Sequence, residues 1–243
     1  MYGVMGAIAS SGLPVVYKGA LVTKLILQEN AFDDFVRETQ DIDASWAGEN
    51  HPPMELLTEM LNRALNGRGL NAVVVREHGE RMSACYDIID TVNNELAMTI
   101  DIDMRTAIDS RTYQFGNVMF QGVTPDNVIA DKISVIASDR VFRRAKDLID
   151  IYALAHCVTV KTESIRCIWA RESRVIGNFN AFINRSDELQ HAYEKLRRVN
   201  AKPEFHVLYR YLASFLTPFS ESKTDHLVWN SDENTWFPEK MNQ

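Results

Sequence analysis

Two aspartates separated by one residue, Asp41 and Asp43, form the pattern in this sequence that most clearly predicts chemistry. Alternate residues of an extended chain point to the same side, so both carboxylates would share a face with Ser45. Neighbouring carboxylates repel each other unless a cation lies between them, and their oxygen atoms are ligands that magnesium and manganese prefer. Since the pair lies downstream of Gly19, we interpret it as a metal site that holds a nucleoside triphosphate.

Structural roles are the alternative, because aspartate pairs of this spacing also occur at strand ends, helix caps and turns. A calcium-binding loop is excluded. Counted from Asp41, the sixth residue is Trp46 where such a loop requires glycine, and the twelfth is Pro52 where it requires glutamate. Taken alone, the pair favours a structural role, so the metal hypothesis depends on a second feature.

A second pair of aspartates, Asp101 and Asp103, provides that feature. They lie in the segment 97–105, where apolar and polar residues alternate as in a half-buried strand. Such a strand needs no chemistry to explain its alternation, but aspartate is uncommon inside strands. If this strand and the Asp41 strand are neighbours in one sheet, up to four carboxylates lie on one surface, and only bound cations would make that charge tolerable.

Length and composition indicate the broad class of protein. A chain of 243 residues, 46% of them hydrophobic, can build one large domain or two small ones. Three cysteines without metal-ligand spacing, Cys85, Cys157 and Cys167, argue against structural zinc and against a disulfide framework. No apolar run approaches the roughly 20 residues of a membrane span, and no signal-peptide pattern opens the sequence. We therefore expect a cytoplasmic protein that does not bind a membrane.

The charge is distributed unevenly along the chain. Residues 1–123 contain 9 Lys and Arg against 17 Asp and Glu, whereas residues 124–243 contain 17 against 16. Within the second half, residues 138–203 contain 13 basic and 8 acidic residues. This basic region is compatible with a phosphate-rich partner, although solvated helix faces produce the same composition. The candidate metal site lies in the acidic half.

Secondary-structure patterns divide the chain at the same place. Strands and helices are mixed up to residue 123, and the pattern is helical from Thr124, where Thr-Pro makes a good helix start. We predict an α/β (α+β) fold, with a mixed-sheet α/β domain at 1–123 and a C-terminal helical bundle at 124–243. The predicted strands are 13–18, a strand at 41, 70–76, 95–105 and 113–121. The predicted helices are 20–28, one that begins after 53, one that begins at 124, 142–157, 164–171, 186–198 and 204–215, and the tail after 217 is not assigned.

A lysine in the helix that begins at Thr124 occupies an unusual position. Lys132 falls in the middle of an apolar stripe on the helical wheel, which comprises Val128, Ile129, Ile133, Val135 and Ile136. The lysine can extend along the stripe to reach solvent, which is the usual outcome. Alternatively, it can reach into a cleft between the two halves of the chain and bind an anion.

The next helix has a charged face that contains Arg143, Lys146, Asp147 and Asp150. Arg143 with Asp147, and Lys146 with Asp150, are spaced four residues apart. Pairs of this spacing are common on helix surfaces and contribute only a few tenths of a kcal/mol, about 0.3–0.5. From the spacing alone we expect surface ion pairs.

Taken in order, these motifs resemble those of a known family. The segments are Lys18-Gly19-Ala20, Arg37-x-Thr39-x-Asp41-Ile42-Asp43, a strand with Asp101, Asp131-Lys132, and Arg144-x-Lys146-Asp147-x-x-Asp150-Ile151-Tyr152-x-Leu154. Their order and spacing over residues 13–156 resemble the AbiEii-type abortive-infection nucleotidyltransferases. These are toxins of bacterial type IV toxin-antitoxin systems within the DNA polymerase β-like nucleotidyltransferase superfamily. Gly19-Ala20 is a departure, since the superfamily usually has Gly-Ser or Gly-Gly there.

The resemblance implies a role for each motif. Asp41 and Asp43 would hold two divalent ions, Mg²⁺ or Mn²⁺. Asp101 would complete the metal site and orient or deprotonate an acceptor hydroxyl, with Asp103 as the alternative for that role. The triphosphate would be bound by Gly19, Ala20, Arg37, Thr39, Lys132 and Lys146. The last motif would place Asp147 and Asp150 near the site.

The activity implied is metal-dependent transfer of a nucleoside monophosphate from an NTP to an acceptor hydroxyl. The acceptor would be RNA, such as a tRNA end, or a protein, and a cognate antitoxin would be encoded nearby. The alternative is a catalytically inactive nucleotidyltransferase-fold protein that acts as a binding or regulatory partner, which the Gly19-Ala20 departure motivates. A plain nucleic-acid-binding module is disfavoured by the acidic first half.

Overall fold

The computed structural model describes residues 1–32, 39, 41–77, 82–104, 109–197, 199, 202–221 and 226–239. As far as the chain is described, it divides into two compact units. The first comprises Met1–Leu25 and Thr39–Thr124, and the second comprises Ile26–Glu38 and Pro125–Gln243. Arg37, expected to contact the triphosphate, lies outside the described residues. The domain boundary between residues 123 and 124 stays a prediction.

The first unit is built on a seven-stranded mixed sheet. Its elements are α1 (Tyr2–Ser10), β1 (Val15–Lys18), α2 (Gly19–Glu29, which continues into the second unit), β2 (Asp41–Trp46), α3 (Met54–Leu65), β3 (Leu70–Arg76), β4 (Ser83–Asp90), β5 (Glu95–Asp103), β6 (Ser110–Phe115) and β7 (Val118–Val123). The strand order is β3-β4-β5-β2-β1-β7-β6. Strand β2 is parallel to β5 and β1 is parallel to β7, while the other neighbours are antiparallel. The mixed α/β class is therefore confirmed.

Alternation along the strands separates a buried apolar face from a polar face. Ile42 on β2 and Ile100 on β5 are fully buried, as is Tyr86 on β4. Helix α3 packs on this face through its buried leucines, Leu57, Leu61 and Leu65. The Asn62 amide also accepts from the Ala72 N–H at 2.7 Å and donates to its carbonyl at 3.2 Å, which ties α3 to the edge strand β3. The opposite face is left to the polar residues of the same strands.

Three elements of this unit differ from the sequence prediction. The single strand expected at 113–121 is wrong, because the chain turns at Gly116, whose φ is +57°, and β6 and β7 form a hairpin. Strand β4 was not expected. Helix α1 was not expected either, since two glycines weaken its helical propensity. Gly6 is needed there, because a Cβ at this position would lie 3.0 Å from a Val118 methyl on β7.

In its described residues the second unit contains six α-helices and a β-hairpin. The helices are α4 (Pro125–Ile136), α5 (Lys146–Cys157), α6 (Thr162–Arg171), α7 (Asn180–Asn184), α8 (Ser186–Glu194) and α9 (Phe205–Ser220), with a short 3-10 helix at Asp139–Phe142. Strands β8 (Leu227–Asn230) and β9 (Thr235–Pro238) form the hairpin in the tail that the sequence left unassigned. Trp229 anchors it, since its indole N–H donates to the Ala155 carbonyl at 3.0 Å. The bundle arrangement of the helices stays a prediction.

Candidate active site

The centre of the sheet brings the two aspartate pairs together. Strands β2 and β5 are adjacent and parallel, with Asp43 directly opposite Asp101. The same register places Asp41 opposite Thr99 and Ser45 opposite Asp103. Residues in register across two strands point to the same side of a sheet. The four aspartate side chains therefore lie on the polar face, as expected if their strands were neighbours.

Strand β4 adds polar residues to the same face. Its register with β5 places Ser83 opposite Asp103, Cys85 opposite Asp101 and Asp87 opposite Thr99. Sequence reasoning missed Asp87. The signal was present, because residues 83–88 alternate strictly between polar or small and apolar side chains. Among the residues that the structure describes, the face thus carries five carboxylates, with Asp87 added to Asp41, Asp43, Asp101 and Asp103.

Two cations pair with this face. Lys18 Nζ lies 3.1 Å from Asp103 Oδ2, and Arg76 Nη2 lies 2.7 Å from Asp101 Oδ2. The hydroxyl of Thr99 also donates to Asp41 Oδ1 at 2.7 Å. Carboxylates crowded on one face repel each other, which favours a further cation between them.

A tight turn brings the backbone against Asp43 where β1 passes into α2. Gly19 has a φ of +71°, and a Cβ at this position would lie 2.2 Å from Asp43 Oδ2. Only glycine permits both the backbone conformation and this approach. Gly19 and Ala20 open α2, an 11-residue helix whose first turn contains no acidic residue. The unpaired N–H groups and the positive dipole end of such a helix favour an anion, either a carboxylate or a phosphate.

The second unit contains the other predicted site residues. Lys132 on α4 is only 3% exposed, and its Nζ lies 3.1 Å from Asp147 Oδ1 and 2.6 Å from Asp150 Oδ2. Arg144 Nε lies 2.8 Å from Asp147 Oδ2, close enough for an ion pair, while its Nη2 donates to Oδ1 at 3.3 Å. Of the two alternatives for Lys132, extension to solvent is wrong, because two buried carboxylates hold its ammonium.

The expectation of surface ion pairs on α5 is also wrong. Asp147 is completely buried and Asp150 is 4% exposed. Their partner Lys132 precedes them by 15 and 18 residues, so helical spacing could not reveal it. The half-buried Lys146 opens the same helix.

The described site residues thus fall into two groups, one in each unit. Asp41, Asp43, Asp101, Asp103 and Gly19 come together in the first unit. In the same unit, Thr39 lies beside β2, where its hydroxyl is 3.3 Å from the Asp41 N–H and from the Asp41 carbonyl. Lys132, Asp147 and Asp150 form the group in the second unit, with Lys146 on the same helix as the two aspartates.

A comparison with known protein families matched one family model. The model of a family described as "Nucleotidyl transferase AbiEii toxin, Type IV TA system" matches residues 27–229. The chain belongs to this family. The resemblance noted in the sequence is confirmed, and the protein is a nucleotidyltransferase toxin by family. Family membership also implies an NTP substrate and an antitoxin partner.

A solved structure shares the fold of this AbiEii-family protein. MenT4, a nucleotidyltransferase toxin from Mycobacterium tuberculosis, aligns with a TM-score of 0.51 over 89% of this chain and 82% of its own. The two sequences are 15% identical, so the likeness concerns the fold alone. No match was found among curated proteins.

The sheet face of the AbiEii-family protein has the donor atoms that a divalent cation requires. The candidate ligands are carboxylate oxygens, which suit magnesium and manganese. Ser45, opposite Asp103, is only 2% exposed, and its Oγ has no hydrogen-bond partner among the described residues. A buried hydroxyl without a partner costs free energy, so a polar ligand nearby would stabilise it. The donor set and this hydroxyl fit a magnesium or manganese ion.

In the part of the chain that the structure describes, the carboxylates of the polar face do not form a cluster of three metal-ligand atoms. Among the residues that the structure describes, three ligand atoms of His, Cys, Asp or Glu come within 4.8 Å of one another only in the group Glu163, His226 and Glu239. In the second unit, Lys161 forms an ion pair with Glu239, and a positive charge there opposes a bound cation. We therefore assign no metal site to that group.

Cys85, between Arg76 and Asp101 on the polar face, is not suited to act as a nucleophile. Burial raises the pKa of its thiol, and the negative charge of Asp101 raises it further, while Arg76 lowers it. Asp87 and Asp41 also raise this pKa. The thiol therefore stays neutral near pH 7, and a neutral thiol is a poor nucleophile.

Proposed function

We propose that this AbiEii-family protein transfers a nucleoside monophosphate from an NTP to an acceptor hydroxyl and releases pyrophosphate. Divalent cations, Mg²⁺ or Mn²⁺, would be held by Asp41, Asp43 and Asp101. The observation that carries the proposal is the parallel register of β2 and β5, which sets Asp43 opposite Asp101 beside the Gly19 turn.

Each residue of the first group has a task in this reaction. Asp41 and Asp43 bind the cations, which would neutralise the triphosphate and stabilise charge on the attacking and leaving oxygens. Asp101 completes the metal site and accepts the proton of the acceptor hydroxyl. Asp103 is the less favoured base, because its side chain is only 12% exposed, against 40% for Asp101, and is less accessible to an acceptor. Gly19 and Ala20 offer the backbone N–H groups of α2 to phosphate oxygens. Arg37 and Thr39, which come just before Asp41 in the sequence, are further phosphate ligands.

The second group contributes to the same reaction in our proposal. Lys146 supplies positive charge for the phosphates. Lys132 acts through Asp147 and Asp150, because its ammonium is shared by two buried carboxylates that compete with phosphate for it. Removing this lysine would leave two buried negative charges, so its loss affects folding as well as transfer.

RNA, including a tRNA end, is the acceptor class that we favour, with a protein hydroxyl as the alternative. The net positive charge of residues 138–203 supports a phosphate-rich acceptor. We also propose a cognate antitoxin encoded by a neighbouring gene, and the type IV system named for the family supports this partner.

Transfer of labelled nucleotide tests the proposal. The purified full-length protein is incubated with each α-labelled NTP, with total RNA, and with Mg²⁺, Mn²⁺ or EDTA. We expect label in RNA only when a divalent ion is present. Asp43→Asn and Asp101→Asn should reduce transfer on the order of 100-fold or more, as loss of charge stabilisation in a transition state does.

A matched control separates the site from general effects of charge. Glu59 forms an exposed ion pair with Arg63 on α3, so Glu59→Gln removes one carboxylate of the same unit outside the polar face. It should transfer as the wild type does. Absence of both transfer and Mn²⁺ binding in the wild type would refute the proposal.

A catalytically inactive binding or regulatory protein is the second candidate. Two observations favour it: Lys18 and Arg76 already pair with two of the carboxylates, and Ala20 stands where the superfamily usually has serine or glycine. Transfer of nucleotide by the wild type to any RNA or protein would exclude this candidate.

A further inference from the structure

An irregularity in the edge strand turns Arg76 towards the carboxylates. Along β3 and β4, Val73 pairs with Asp87 and Val74 with Tyr86, but the next pair is Arg76 with Cys85. In a regular ladder, Val75 would lie opposite Cys85 and Arg76 would point to the buried face. The extra residue is a β-bulge, a device that redirects a side chain. The bulge thus places Arg76 on the polar face.

The guanidinium then crosses a neighbouring strand to reach Asp101. Cys85 pairs with Arg76 on one side and with Asp101 on the other, so the three residues form one row. Two strand spacings separate the ends of this row, about 9–10 Å. A long side chain covers that distance only if the residue between is small, as Cys85 is. Arg76 Nη2 ends 2.7 Å from Asp101 Oδ2.

Ser83 supports the guanidinium from a second side. Its hydroxyl lies 2.8 Å from Arg76 Nη2, and its carbonyl accepts from Nε at 3.5 Å. Within the described residues, the contacts of Asp101 involve Oδ2, while Oδ1 is not engaged by the guanidinium. Arginine stays charged at every relevant pH, so this anchor does not depend on protonation.

Protection of the sheet edge is the simpler explanation of a bulged arginine on β3, because bulges and charges both discourage edge-to-edge pairing. An arginine with that role would extend into solvent. Arg76 instead contacts both Ser83 and Asp101. A contribution to stability also explains the Arg76–Asp101 ion pair poorly. The two side chains are 37% and 40% exposed, and such pairs contribute only about 0–1 kcal/mol.

We propose that Arg76 is a positioning residue for nucleotidyl transfer, which fixes the Asp101 carboxylate through Oδ2 and leaves Oδ1 for the cation or the acceptor proton. This inference rests on the proposed function, because it assumes that Asp101 takes part in the reaction. In this proposal, Ser83 holds the guanidinium of Arg76 in place, and Cys85 is small enough for the Arg76 side chain to extend across it to Asp101.

Kinetics of full-length variants test the inference, with labelled NTP and total RNA as substrates. Arg76→Met should lower kcat at least tenfold, because misplacing a reacting group by 1 Å can cost on the order of 100-fold. The KM for NTP should change less than twofold, since Arg76 does not contact the triphosphate in our proposal. Arg76→Lys should recover part of kcat, and Arg63→Met, which removes an exposed arginine of the same unit, should change neither constant.

A double-variant cycle shows whether Arg76 acts through Asp101. In the Asp101→Asn background, Arg76→Met should cause no further loss, because residues that act as one unit are not additive. Cys85 supplies a second, independent perturbation. Cys85→Leu should block the guanidinium and lower kcat as Arg76→Met does, whereas Cys85→Ala should not. Circular dichroism and thermal unfolding of each variant establish that it is folded.

Two results overturn the inference while the proposed function stands. One is wild-type kcat in Arg76→Met, and the other is a full additional loss when Arg76→Met is combined with Asp101→Asn. Failure of the wild type to transfer any nucleotide has a different meaning, because it refutes the proposed function and this inference with it.

Discussion

Substitution of Gly19 by alanine tests whether the close approach of Asp43 to the backbone matters. Two costs are expected. The φ of +71° places the residue in the left-handed region, where alanine loses about 1–2 kcal/mol relative to glycine. The new Cβ would also lie 2.2 Å from Asp43 Oδ2, so the Asp43 side chain must leave its position. Forcing a side chain away from a preferred rotamer costs about 0.5–1.5 kcal/mol.

Gly67 offers a control that separates these costs. Its φ is +75° and a Cβ there would meet no atom within 4 Å, so Gly67→Ala has the backbone cost alone. For a chain of this size, 1 kcal/mol corresponds to roughly 2–4 °C in Tm. We expect Gly67→Ala, at about 1–2 kcal/mol, to lower the Tm by about 2–8 °C, and Gly19→Ala, at about 1.5–3.5 kcal/mol, to lower it by about 3–14 °C.

Thermal unfolding and Mn²⁺ binding, measured on the same samples, decide the question. Mn²⁺ should bind Gly19→Ala more weakly than the wild type and should bind Gly67→Ala as it binds the wild type. Adding Asp43→Ala to Gly19→Ala should remove the steric part of the loss in Tm, because the displaced carboxylate is gone. Equal losses in the two glycine variants, with no recovery in the double variant, would refute the reasoning.

Three further outcomes are expected. Lys132→Met should destabilise the protein by about 3–5 kcal/mol in urea unfolding, because it removes the ammonium that two buried carboxylates share. Burial, and after it the charge of Asp101, raise the pKa of the Cys85 thiol, so Asp101→Asn removes one of these causes and should speed alkylation of Cys85 by iodoacetamide at pH 8. Mass spectrometry of the labelled peptide would measure the rate. Burial lowers the pKa of His156 from 6.5 in the folded protein, so folding favours the neutral ring. The free energy of unfolding that this preference contributes is fully present above pH 6.5 and is lost as the pH falls through the lowered pKa. His156→Phe, which keeps an aromatic ring against Tyr211, should flatten the dependence of Tm on pH between 7 and about 5.

Alternation and residue type were sufficient to predict strand β5 and the aspartates on its polar face. The period-two pattern located β5, residues 70–76 were predicted as the strand that became β3, and aspartates inside a strand indicated a function for the polar face. The parallel pairing of β2 with β5 had to be assumed, because the residue pattern of a strand does not determine which strand lies beside it. The alternation of residues 83–88 was overlooked, so strand β4 was not predicted and Asp87 was missed as a residue of the polar face.

Tertiary contacts explain what the sequence could not predict. Asp147 and Asp150 had plausible partners one helical turn away, yet burial of α5 selects a lysine on another helix. The tail hairpin has a turn signal, since the Asn230 side chain accepts the N–H groups of Asp232 and Glu233. Its strands are short, and Pro238 argues against a strand. The bulge at Val75 leaves no sequence signal, and it alone decides which face Arg76 takes.

The pairing of β2 with β5 has a consequence for the lifetime of the toxin. This pairing is the only junction between β3-β4-β5 and β2-β1-β7-β6 in the described sheet, and it sets two like charges directly opposite each other. Like charges in that position weaken a sheet. If the carboxylates bind divalent ions as proposed, those ions stabilise the folded chain by mass action. Cellular magnesium would then govern how long the folded protein survives proteolysis, as well as how fast it works.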